Sequence, residues 1–283
     1  MPFGTNAEKG TVIIMEKSKK ILKIYTIIFA LLTVVCVALR FVAVSTVYDA
    51  DIGYYKTGAV VPTVLHVLCF VSFALAMSII PLLPKKTLPE ALPCGLGVRA
   101  SAAIQLVFAL GMAAYLIYPA FTGGVKVSAV SIICVIAALF STVYFALVMA
   151  GKAVPEKKNS ALFGYTVIVY VLMMLANSYF DFYTTMNSPN KLITQIALMS
   201  IMVALLFEMR AILGISLARG YAAFTLFAVF LSAVSSIPGV VLFLAGTFTK
   251  PMYFAVNFVI FGFFIYLAVR YVSWLCAVIK EKN

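Results

Sequence analysis

Eight long apolar stretches divide this chain, each about as long as a lipid bilayer is thick, and that feature more than any other limits what it can fold into. A hydrocarbon core about 30 Å across takes about 20 residues of α-helix. The stretches run approximately over residues 24–46, 58–83, 96–118, 127–150, 161–180, 191–213, 222–245 and 253–277. In lipid no water satisfies exposed backbone N–H and C=O groups, so a spanning segment of this length has to be a helix. The chain therefore reads as an all-α, polytopic transmembrane bundle of about eight helices. Composition agrees: 64% of residues are hydrophobic, 11% are charged and the mean hydropathy is +1.12. A soluble domain has roughly 25% charged residues. Little is left outside the spans, which suggests a basic N-terminal arm over 1–20, a membrane domain over 21–279 and a short tail over 280–283.

The net charge of +12 lies in clusters between the apolar runs. If the spans alternate direction, sixteen of the 21 lysines and arginines fall on the side of the two termini. Only Lys56, Lys126, Lys191 and Lys250, with Arg40 nearby, fall on the other. Basic residues collect on the cytoplasmic side of membrane proteins, so both termini are expected inside. The same distribution argues against nucleic acid as a partner, because no basic face or stripe is formed. The partner it implies is the anionic headgroup layer of a bilayer. The first apolar run is longer than a signal-peptide core and carries no convincing cleavage signal, so it reads as a retained anchor, with Met15 a second plausible start.

The outward connections have recognisable local chemistry. Tyr48-Asp49 and Gly53-Tyr54-Tyr55 flank a turn-forming centre and suggest a small β-hairpin. Ser188-Pro189 is a good N-cap and first helical residue for the sixth span. Tyr115, Tyr118, Phe121, Tyr179, Phe180, Phe182, Tyr183 and Tyr253 gather at one level, as in an interfacial aromatic belt. The Tyr48 to Tyr55 stretch, together with Met186 to Lys191 leading into Glu208-Met209-Arg210, resembles uncharacterised multi-pass membrane proteins of clostridia-type bacteria. That resemblance implies a bacterial plasma membrane and carries no activity with it. A shared Tyr-Thr pair at Tyr25-Thr26 and Tyr165-Thr166 is too slight to establish an internal duplication.

Polar residues within lipid are costly, so each one within a span is a candidate for function. Arg40, His66, Asn177, Asp181 and Asn257 fall in the outer half and would line one outward-facing polar cavity if they converge. If each faces a different helix seam, they are packing contacts instead. Ser235, Ser236, Pro238 and Gly239 in the seventh span suggest a helix break, since proline removes a helical hydrogen bond and small residues admit a neighbour or a ligand. Glu208, near the inner end of the sixth span, is expected to pair with a basic group, Arg219 being the candidate.

Several chemistries are argued against. The five cysteines are scattered without paired spacing, and His66 is the single histidine, so no metal or cofactor is expected. Asp49-x-Asp51-x-Gly53 resembles the start of a calcium loop, but Val60 stands where its last acid belongs. No catalytic constellation is evident, which makes an enzyme the weakest reading. Two readings remain: small-solute binding or transport through the outward polar cavity, and an accessory or regulatory role with a membrane-protein partner or a second copy of the chain.

Overall fold

The computed structural model describes residues 5–49, 52–84, 92–122, 128–152, 158–181, 185, 188–215, 217–246 and 251–280. Eight helices account for nearly all of them: α1 (Thr5–Thr46), α2 (Val60–Leu82), α3 (Leu96–Thr122), α4 (Ala129–Met149), α5 (Lys158–Tyr179), α6 (Pro189–Ile212), α7 (Ala218–Leu244) and α8 (Pro251–Lys280). All eight are long and apolar enough to cross a membrane. The chain is an all-α, multi-pass membrane protein.

Seven helices begin and end within four residues of the expected spans. The exception is α1, which starts at Thr5 and absorbs most of the basic arm. Its early residues include Ala7, Glu8, Lys9, Met15, Glu16 and Lys17, good helix formers that favour its continuation beyond the apolar run despite Gly10. At 1.5 Å per residue its 42 residues reach about 63 Å, roughly twice the hydrocarbon thickness. Residues 1–4 and the tail residues 281–283 lie outside the described residues.

Helices α3 to α8 form a circuit: each packs on the next, and α3 closes against α8. The α1–α2 pair leans on α7 from outside. That makes α7 the most enclosed helix, with 72% of its apolar window buried against 22% for α2. Because eight crossings return the chain to its starting side, the start of α1 and the end of α8 share one end of the bundle. The opposite, far end carries the α1–α2 connection, where β1 (Tyr48–Asp49) pairs antiparallel with β2 (Tyr54–Tyr55). Gly53 supplies the positive φ of 83° that this turn needs, and the Asp49 carboxylate accepts from the Ile52 N–H at 3.2 Å. Thr185 donates to the Ile52 carbonyl at 2.9 Å, tying the hairpin to the connection before α6.

Tyr118, Phe121, Tyr179 and Phe180 are exposed near the far end, as a belt requires, while Tyr253 turns inward. Phe182 and Tyr183 lie outside the described residues.

Candidate functional site

Two buried polar clusters divide the interior, one toward each end. The far cluster centres on Arg40, six residues before the end of α1 and 1% exposed. A charge this deep would cost several kcal/mol unless its hydrogen bonds are replaced. The Arg40 Nη1 donates to the Val234 carbonyl of α7 at 2.7 Å. Its Nη2 donates to the Tyr253 hydroxyl of α8 at 2.8 Å and to Asn190 Oδ1 of α6 at 3.4 Å.

The Val234 carbonyl is available for a specific reason. In an uninterrupted helix it would accept from the N–H four residues on, but residue 238 is proline and has none. Arg40 fills that place. The expected helix break is accordingly absent: α7 is helical from Ala218 to Leu244, with Pro238 inside it. Ser236 adds a bond to the Ser232 carbonyl at 2.6 Å in the same turn. Gly239 allows α8 to approach: a Cβ there would stand 2.8 Å from Asn257 Cγ.

The remaining contacts close a circuit over α1, α6, α7 and α8. Thr194 donates to the Asn190 carbonyl at 2.9 Å. Ser235 Oγ lies 3.3 Å from Thr194 Oγ1 and 3.1 Å from Asn257 Oδ1, its one proton serving either. Asn257 Nδ2 donates to the Tyr253 carbonyl at 2.8 Å, and the Tyr253 hydroxyl returns to Arg40. Above the circuit, the Tyr55 hydroxyl of the hairpin donates to Asn190 Oδ1 at 3.4 Å. Burial pushes the Tyr55 phenol up to about 12, with the nearby Arg40 charge a smaller opposing effect, so it serves as a neutral donor.

Arg40, Asn257 and Ser235 thus meet in one cluster, with Pro238 and Gly239 shaping it. The hydrogen bonds that join it include none of the other expected members. Asn177 lies in the α4–α5 seam, where its Oδ1 accepts from Ser131 at 2.9 Å and its Nδ2 donates to the Met173 carbonyl at 3.0 Å. His66 is exposed on α2 and makes no hydrogen bond with the cluster among the described residues. Asp181 follows α5, and its carbonyl accepts from Lys191 Nζ at 3.0 Å; Lys191 also bonds the Tyr179 carbonyl at 3.1 Å. This places Asp181 beside the start of α6, next to the cluster. Asp51 lies outside the described residues.

The second cluster lies toward the end with the termini. Glu208 of α6 and Arg270 of α8 form an ion pair, Nε to Oε1 at 2.9 Å, with both side chains fully buried. The same Oε1 accepts from the hydroxyls of Tyr266 at 2.7 Å and Tyr144 at 3.0 Å. Arg270 Nη1 continues to the Pro93 carbonyl at 2.8 Å, so the pair joins α4, α6 and α8 to the segment before α3. Arg270 therefore takes the place expected for Arg219, which lies half-buried in the first turn of α7. The physical reason is depth: Arg270 is ten residues inside the end of α8 and cannot reach water, so it needs a carboxylate more than Arg219 does.

Arg270 escaped notice because its position fits the cytoplasmic charge pattern, although an arginine seven residues inside an apolar span was itself a signal. Asn190 and Thr194 are ordinary helix-start residues, and Tyr253 looks like a belt residue. Nothing in the sequence gathers them. Gln105, fully buried on α3 against Gly262 of α8, was also missed; neither its amide nitrogen nor its oxygen has a hydrogen-bond partner among the described residues. Among the described residues no group of three His, Cys, Asp or Glu could hold a metal ion.

Comparisons of the chain with protein-family models, curated proteins and solved structures give no match.

Proposed function

We propose that this protein binds a small polar solute from the outer side of a bacterial plasma membrane, as a transporter or solute sensor, using the cluster around Arg40 and Asn257. The observation that carries the reading is the convergence of four helices and one hairpin on a single buried polar circuit in one half of the bundle. The outer placement rests on the sixteen basic residues on the side of the termini, which puts Arg40 in the outer half. The bacterial setting rests on the resemblance carried by the Tyr48–Tyr55 and Met186–Arg210 stretches.

In this reading the Glu208–Arg270 cluster is a structural fastening on the cytoplasmic side. Its Oε1 is shared by three donors, and Arg270 spends a further N–H on the Pro93 carbonyl.

The test is thermal unfolding of the purified protein in lipid nanodiscs across a panel of amino acids, sugars, organic acids and amines. A ligand that binds only the folded state raises the unfolding midpoint with concentration. A saturable rise with one solute class, lost on Asn257→Ala, supports solute binding. No rise across the panel, together with a stoichiometric membrane-protein partner on purification, contradicts it and favours the accessory role.

A further inference from the structure

We infer that the site around Arg40 takes an oxyanion, a carboxylate or phosphate group, held between the Arg40 guanidinium and the first turn of α6. The inference rests on the solute-binding reading and narrows it to one chemical class. Arg40 is 1% exposed, and its hydrogen-bond acceptors among the described residues are a carbonyl, an amide oxygen and a hydroxyl, none formally charged. Among the described residues no carboxylate bonds Arg40, and a buried cation held by neutral dipoles favours a counter-ion.

The unused polar atoms nearby fit the same class. Arg40 Nε, Asn190 Nδ2 and Ser188 Oγ are buried and have no hydrogen-bond partner among the described residues. Two of the three are N–H donors, and the hydroxyl can donate as well. Asn190 is oriented by its contacts: Oδ1 faces Arg40 Nη2 and the Tyr55 hydroxyl, so Nδ2 is left as the free donor. Ser188 is the N-cap of α6, yet its hydroxyl makes no capping bond and Pro189 occupies the first helical position. The α6 N-terminus adds positive dipole character at that point, where anions are favoured. A guanidinium, a helix start and unpartnered donors share one neighbourhood, and an oxyanion answers all of them. The β1–β2 hairpin reaches Asn190 through the Tyr55 hydroxyl.

The decisive variant is Asn190→Asp. It keeps the oxygen that Arg40 and Tyr55 use, and supplies from within the chain the negative charge that the ligand would bring. Unfolding midpoints are measured in zwitterionic nanodiscs at fixed sodium chloride, with added acetate, inorganic phosphate or acetamide. The expected result is a saturable rise on the order of 5 °C with acetate or phosphate and none with acetamide. Asn190→Asp should raise the midpoint without any anion and remove the response. Discs containing phosphatidylglycerol separate the sources: if these alone raise the wild-type midpoint and acetate adds nothing, the oxyanion is a lipid phosphate. A lower midpoint for Asn190→Asp, with no anion response in either lipid, overturns the inference. If a neutral or cationic solute from the panel still stabilises the wild type, solute binding survives and only the anion assignment fails. If no solute of any charge does, both fail.

Discussion

Arg40 donates to the Val234 carbonyl at 2.7 Å, the carbonyl that Pro238 leaves without its helical N–H. Each residue by itself would be a liability inside lipid: a cation without water, and a helix turn missing one bond. Together they compensate each other across the α1–α7 seam, and the seam becomes the wall of a polar cluster rather than a break in a helix.

The pairing predicts an asymmetric double-mutant cycle. Arg40→Met should destabilise the protein by about 1–3 kcal/mol, because the Val234 carbonyl loses its donor while buried. In a Pro238→Ala background, the backbone N–H restored at position 238 takes that carbonyl, so the same Arg40 change should cost less. Unfolding free energies of the four proteins in mixed micelles give the coupling directly. Equal costs in both backgrounds would mean that the carbonyl is not what Arg40 supports.

A stronger effect is expected at the Glu208–Arg270 pair. Removing one partner of a buried ion pair leaves an uncompensated charge, costing about 3–5 kcal/mol. Glu208→Gln and Arg270→Met should each fall in that range, and the combined variant should recover much of the loss. Denaturant midpoints of the three variants would show it. A double variant as unstable as the sum of the singles would contradict a simple ion-pair role.

Close approach at Gly239 gives a steric prediction. Gly239→Val places carbon where Asn257 Cγ already stands, 2.8 Å from the position of a Cβ. Overpacking of this kind costs about 1–3 kcal/mol, and trimming the neighbour with Asn257→Ser should return part of it. Thermal midpoints of the single and double variants read out both effects. Full tolerance of valine would mean that α7 and α8 are free to separate.

The span pattern was open to reading because lipid imposes one length and one secondary structure, and seven helices fall where hydropathy places them. The start of α1 was hidden because hydropathy detects lipid, not helix: Thr5 to Lys23 carries many charges yet is helical. The polar cluster was legible only in part. Arg40 and Asn257 stand out in an apolar background, and depth along the chain placed both in the same half. Which seam each residue faces was not legible. A helix such as α7 is apolar all round, so its periodicity does not reveal its buried side. That ambiguity allowed Asn177 and His66 to be grouped with Arg40, although one faces α4 and the other is exposed on α2. Arg270 and Tyr253 were concealed by positions that suit commoner roles at the membrane surface.

An outward-facing Arg40 cluster requires eight crossings with α1 starting, and α8 ending, on the inner side. Thiol labelling of single-cysteine proteins in a background lacking the five native cysteines tests this directly. One reporter replaces Lys56, in the connection between α1 and α2, and the other replaces Lys152, between α4 and α5. With a membrane-impermeant maleimide on intact cells, the Lys56→Cys protein should label at once and the Lys152→Cys protein only after permeabilisation. The reverse pattern, or labelling of both from outside, would contradict it.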